Sequence, residues 1–338
     1  MWELVRSVAA QATVFDWALL GAVALVLLWV AGTWNYDFFA RRGVAYSRPR
    51  LPFVGNTISG FLGITTFPDM LQEMHDISKG HAIYGWFQNQ NPFYLVTDPE
   101  LLKHIAVKDF DHFTDHREIV KGEPDPIFNK NLFLLKGERW RAMRATLSPA
   151  FTTSKIKGIF PLAAKTAEQM AAHLRQEQAK SASGIKSKPL ETDMKNLFSR
   201  VANDVIGTVA FGIGCDSLKE PENEFYQRGK TLSSFSVKRM VIFFFYLIIP
   251  KIMKALDMRV FDPETIKFLD SLVHETIQER QKKGIFRPDM LQLLMQARDG
   301  QLRVEEEDKH ETEKTGAAKQ ELTNDDISGQ AVIFFFWI

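Results

Sequence analysis

The chain has 338 residues, of which 45% are hydrophobic, 25% charged and 12% aromatic, a globular balance that excludes collagen-like, low-complexity and disordered classes. Lys and Arg total 42 against 41 for Asp and Glu; a formal net charge of +1 argues against nucleic-acid binding, which needs a basic face. The single cysteine, Cys215, excludes a disulfide framework and a cysteine-rich zinc site, and it suits a body facing the cytosol.

Behind a short N-terminal segment (residues 1–16), the 18 positions from Trp17 to Trp34 carry no charge. A helix of that length spans about 27 Å at about 1.5 Å per residue, close to the hydrocarbon thickness of a bilayer. Trp17 and Trp34 stand at its two ends, where amphipathic rings favour the interface. A cleaved signal peptide fits less well, because Glu3 and Asp16 precede the run and no small-residue cleavage site closes it. Arg41, Arg42, Arg48 and Arg50 follow, so the positive-inside rule predicts a single-pass anchor with everything downstream in the cytosol. Residues 35–56 then act as a Pro-rich hinge. In RPRLPFVGN, Pro49 and Pro52 fix φ and remove donors, which predicts a stiff extended connector.

The body, residues 57–338, opens with a helix over Phe67–Lys79 and two strands, Ala82–Phe87 and Phe93–Thr97, joined by the turn-rich QNQNP. Asp98-Pro99 starts a helix, with Asp as cap and Pro at the first helical position. Apolar residues at three- and four-residue spacing predict helices over Lys155–Gln178, Asp193–Ala210, Glu222–Ser234, Pro263–Lys283 and Pro288–Arg298. Asp262-Pro263 and Arg287-Pro288 again place Pro at a helix start. The fold class is therefore mainly α with a small β-sheet. Val241–Ile249, VIFFFYLII, is too short to span a membrane. Gln301–Glu321 is charged and reads as an exposed loop. Leu322–Ile338 resumes as a helix capped by Thr323 or Asn324; it ends on the wholly apolar AVIFFFWI, as a chain cut within a helix would.

Catalytic templates are absent from the sequence: there is no G-x-S-x-G, P-loop, H-E-x-x-H or kinase set. Gly212 and Gly214 in FGIGCDS lack the third glycine of a dinucleotide fingerprint and read as a helix C-terminal turn. His112 and His116, four apart, read as a surface pair on a loop rather than as metal ligands. Cys215 lies beside Asp216 at the end of a helical pattern, which suits a packing residue and not an activated thiol. LKGERWRAMRATLSPAF is more suggestive. Trp140 and Arg144 share a helical face, and an indole N–H with a guanidinium fork suits a carboxylate. An exposed cation–π pair or a packing contact is the alternative.

Along nearly its whole length the chain resembles the microsomal cytochrome P-450 monooxygenases, most closely the insect detoxification members. The anchor and RPRLPFVGN, FTDHR (Phe113–Arg117), GERWRAMRATLSPAF from Gly137, NDVIGTVAFGIGCDSL from Asn203, RPDMLQLLMQAR from Arg287 and LTNDDISGQAVIFFF from Leu322 carry the likeness by their joint order. The resemblance implies a haem cofactor, with Trp140 and Arg144 matching the W-x-x-x-R helix whose side chains contact a propionate. It gives His116 the same duty. It makes Arg117–Leu135 the variable loop over the haem and Phe225–Pro250 the roof of the pocket, with Phe243, Phe244, Phe245 and Phe334 against substrate. VIFFFYLII becomes an apolar lip at the membrane. The implied partners are an NADPH-dependent flavoprotein reductase, the lipid membrane and a lipophilic small-molecule substrate, and the implied location is the endoplasmic reticulum membrane.

The sequence also departs from that family. The F-x-x-G-x-R-x-C-x-G loop that supplies the axial thiolate is missing, and around Cys215 Thr208 and Phe211 stand where Phe and Gly would be needed. Trp337 and Ile338 replace the Ala-Gly that follows the apolar run of the oxygen-activating helix, and no E-x-x-R helix follows. The chain thus corresponds to roughly the N-terminal two-thirds of a member and is expected to be inactive alone. A non-catalytic, membrane-anchored isoform is the second reading.

Overall fold

Thr13 opens the first helix, α1 (Val14–Thr33), through a capping box in which its Oγ1 accepts from the Asp16 amide while the Asp16 carboxylate accepts from the Thr13 amide at 2.7 Å. In this computed structural model the described residues are 13–49, 51–117, 125–182, 189–234, 236–301 and 322–337. Most of the N-terminal segment, nearly all of the predicted loop at 301–321, residues 118–124 of the predicted variable loop and Ile338 lie outside them. The chain divides into two compact units, residues 1–113 and 114–338.

In the first unit, α1 has 20 residues and is long and apolar enough to cross a membrane. Its apolar side chains are exposed along its length, and Gly32 alone is buried. Beyond it come α2 (Ile58–Phe61), α3 (Phe67–Ser78) with a Thr66–Asp69 capping box, and the antiparallel strands β1 (Ile83–Gln88) and β2 (Asn91–Val96). The pairing runs from Ile83↔Val96 to Gln88↔Asn91, so the turn is tighter than QNQNP suggested: two residues, with Asn89 left-handed at φ +57°. Asp98 caps α4 (Pro99–Lys103), accepting from the Leu101 amide at 2.9 Å, as the Asp-Pro pair predicts. Phe39 is fully buried among Tyr46, Phe87 and Tyr94, with ring centroids 5.0–5.8 Å away.

The predicted extended connector is instead a folded turn. Phe53 and Gly55 both have positive φ, and Gly55 bridges Leu51 and Gln88. The Asn56 amide donates to Phe87 O at 2.9 Å while Asn56 Oδ1 accepts from the Phe87 amide at 3.0 Å. A Cβ at residue 55 would fall 2.4 Å from Asn89 O, so only glycine admits this approach. Two prolines removed donors but did not keep the chain straight, because the hairpin supplied partners for the remaining amides.

The second unit is helical: α5 (Gly137–Leu147), α6 (Thr153–Ala182), α7 (Met194–Val209), α8 (Glu224–Ser233), α9 (Val237–Ile248), α10 (Pro250–Ala255), α11 (Pro263–Lys283), α12 (Met290–Arg298) and α13 (Asn324–Ile333). Asp193, Asn223, Ser236, Asp262 and Asp289 each cap the following helix from their side chains. Arg287-Pro288 does not start α12, as the sequence suggested; Pro288 precedes the cap, and Asp289 accepts from the Gln292 amide at 2.9 Å. α13 is the central element. Asp326 through Val332 are all buried, so it is enclosed all round rather than amphipathic, and it packs on α11, α12 and the turn Phe128–Lys130. Thr323 caps it, and the last described residues tighten to a 3₁₀ turn, Phe334–Trp337. Phe335 is buried in a triad with Phe211 and Phe225, centroids 5.2–5.4 Å apart. The fold is mainly α with a two-stranded sheet.

Candidate functional site

The W-x-x-x-R helix is α5, whose own N-cap residue, Lys136, makes no side-chain capping bond. The missing acceptor comes from 22 residues earlier: Asp115 Oδ1 takes the Gly137 amide proton at 2.7 Å. A carboxylate there is favoured by the helix dipole, and it pins the strand of chain carrying His116 beside the start of α5. His116 is exposed, and its ring stacks on Phe133 with centroids 4.9 Å apart and planes 26° apart. Burial lowers the pKa of Arg117, half-buried next to it, although a guanidinium stays charged.

α5 buries Met143, Ala145, Thr146 and Leu147. Trp140 is half-buried and packs against the main core, while Arg144, one turn further on, is exposed. Glu138 and Arg141 pair at 3.8 Å. The Arg144 guanidinium has no hydrogen bond, ion pair or cation–π contact among the described residues. The exposed cation–π alternative is thereby set aside. What the geometry presents is a free cationic fork on the face marked by a half-buried indole, with an imidazole tied to the same helix end. Such donors match an anionic, planar acceptor such as a carboxylate.

The four phenylalanines assigned to a pocket come from α9 and the end of α13. Phe243 and Phe334 are half-buried against the core; Phe244 and Phe245 meet edge to face at 5.7 Å, and Phe245 is 41% exposed. On α9 it is Ile242 and Tyr246 that point inward, so VIFFFYLII presents one buried and one exposed face. A cleft of about 550 Å³ beside α9 is lined by Ser236, Arg239, Ile242, Met258 and Arg259 among others, and none of the four phenylalanines lines it.

Cys215 is 8% exposed, and its Sγ donates to Asn223 Oδ1 at 3.6 Å. Burial first, then the hydrogen bond and charge of Asp204, push the thiol far above its ordinary pKa. It is a thiol held protonated. His112 lies in a short 3₁₀ turn (Phe110–His112). The Asp115 cap had no signature in the sequence, since nothing local links residue 115 to residue 137.

A small hairpin, a helical body around one enclosed helix and a W-x-x-x-R helix with an exposed arginine define an α-rich class of protein. The family model described as Cytochrome P450 matches residues 47–336, and the chain belongs to that family. Cytochrome P450 9e2 of Blattella germanica is 42% identical over 327 residues, 95% of this chain and 61% of that protein. Probable cytochrome P450 9h1 of Drosophila melanogaster is 34% identical, over 93% of this chain and 59% of its own length. Cytochrome P450 3A31 of Mesocricetus auratus is 33% identical, over 95% and 58% respectively. The chain spans about three fifths of the length of the curated relatives it matches.

Proposed function

We propose that the chain supplies the propionate-binding and roof parts of a membrane-anchored haem-thiolate monooxygenase. The carrying observation is the exposed, unpartnered guanidinium of Arg144 one turn beyond half-buried Trp140. When bound, haem would supply the activation of O₂. The donors fit its carboxylate edge: Arg144 offers a planar fork, Trp140 an indole N–H, and His116 an imidazole positioned through Asp115. Cys215 does not fit the axial position, being buried, protonated and engaged with Asn223. No step through the iron is assigned to this chain, and the 338 residues alone are read as inactive.

Within this reading α1 anchors the protein, and Arg41, Arg42 and Arg48 behind it place the body on the cytosolic side of the endoplasmic reticulum membrane. Phe243, Phe244, Phe245 and Phe334 contribute apolar surface for a lipophilic small molecule, which partitions from lipid without crossing water. Electrons come from an NADPH-dependent flavoprotein reductase. The test is haem titration of the expressed chain, read by absorbance and substrate turnover. Weak binding without thiolate-type absorption is expected, and Arg144→Ala should weaken it further. Thiolate-type absorption with turnover would overturn the assignment of inactivity, and unchanged haem affinity in Arg144→Ala would overturn the propionate site.

A further inference from the structure

A second cluster, on helices other than α5, brings metal-ligating side chains together from α11 and α13. Asp270 and His274 are four apart on α11 and share a face; Asp325 lies in the first turn of α13. His274 Nε2 is 3.4 Å from Asp270 Oδ1 and 3.4 Å from Asp325 Oδ1, and the three atoms lie within 4.8 Å of one another. Those separations are long for N–H···O bonds. Asp270 Oδ1 and His274 Nε2 are both shielded from solvent, and neither has a hydrogen-bond partner among the described residues. Two ligand atoms bound at about 2.0–2.1 Å to a tetrahedral ion sit about 3.4 Å apart, which is the spacing between His274 Nε2 and each of the two carboxylate oxygens.

The surroundings orient the set. Lys130 Nζ holds the other Asp325 oxygen, Oδ2, at 2.7 Å, so Oδ1 turns toward the imidazole. Asp326, the neighbouring carboxylate, is engaged in the capping box with Thr323 and does not compete. We propose that Asp270, His274 and Asp325 form a site for a divalent transition-metal ion of the zinc class, with solvent as the remaining ligand, that cross-links α11 to α13. Two carboxylates and one neutral imidazole are a hard-to-borderline donor set that suits Zn²⁺. Lys130 is an outer partner of the kind that fixes a ligating carboxylate. The site uses none of the residues proposed to hold haem.

The test is calorimetric titration of the detergent-solubilised full chain with Zn²⁺, alongside visible absorption with Co²⁺. A saturable stoichiometric site with intense tetrahedral Co²⁺ bands is expected. His274→Ala and Asp325→Asn should each abolish both signals, with circular dichroism confirming that the helices persist. Lys130→Met leaves the three ligands in place and should weaken binding about tenfold. Absence of a saturable site, or an unchanged one in folded His274→Ala, would overturn the proposal.

Discussion

Arg280 and Asp289 meet as a buried bidentate ion pair: Nη1 donates to Oδ1 at 2.8 Å and Nη2 to Oδ2, with the two side chains 4% and 0% exposed. Arg287 Nε adds a second cation 3.2 Å from the same carboxylate, and its Nη1 donates to Gly212 O at 3.1 Å. One aspartate thus closes the end of α11 onto the start of α12 and onto the turn after α7.

Removing that carboxylate strands a buried guanidinium. Asp289→Ala should destabilise the second unit by about 3–5 kcal/mol, the range for breaking a buried pair from one side. Loss of the α12 cap adds to the effect. Denaturant unfolding followed by circular dichroism measures it; a change of less than about 1 kcal/mol would show the pair to be replaceable by solvent.

Gly212 reads the same network from its other side. Its φ is +70°, and a Cβ there would lie 2.0 Å from Arg280 Nη2 and 2.8 Å from Asp289 Oδ2. Gly212→Ala should therefore carry both a backbone strain of about 1–3 kcal/mol and a displacement of the ion pair. In an Arg280→Ala background the clash with the guanidinium disappears, leaving the backbone share and the 2.8 Å approach to Asp289 Oδ2. Additive effects in that double-mutant cycle would refute the coupling.

Gln330, buried on α13, clasps the loop before α5 by two bonds. Its Nε2 donates to Lys130 O at 2.8 Å, and its Oε1 accepts from the Leu132 amide at 2.9 Å. Gln330→Leu leaves that amide unpaired, at a cost of about 1–3 kcal/mol. Hydrogen exchange at Leu132 should accelerate while the helices keep their protection; unchanged exchange would mean that the loop is held elsewhere.

Much of this fold was legible because its causes are local. Asp-Pro at 98–99 and at 262–263, and the periodicity of residues 263–283, specify α4 and α11 without help from the rest of the chain. The connector at 48–56 was not legible, since two prolines argue for extension and only the hairpin amides reverse it. Pro288 misled by two residues because Asp289 serves as cap and ion-pair partner at once. The candidate side chains Trp140 and Arg144 were visible as spacing, whereas the tie that brings His116 beside the start of α5, through Asp115, required a contact across 22 residues. Asp270, His274 and Asp325 could not be joined from sequence, because Asp325 lies on a different helix from the other two.

Cys215 gives the last prediction, since it separates a packing thiol from a reactive or metal-binding one. A free thiol near its ordinary pKa reacts with iodoacetamide through the thiolate fraction present at mildly alkaline pH. Here burial, the Asp204 carboxylate and the nearby Asp216 and Glu220 charges all raise the pKa, so the thiolate fraction is smaller than for a free thiol at every pH. Native chain at pH 8 should resist alkylation and react promptly once denaturant exposes residue 215. The alkaline rise in reactivity should lie above that of a free cysteine, and Asp204→Asn should move it back toward lower pH by removing the carboxylate that, after burial, raises the thiol pKa most. Prompt labelling of the native chain at pH 8 would place Cys215 in a cationic or solvent-open setting, and the exclusion of this residue as an axial thiolate would then fall with it.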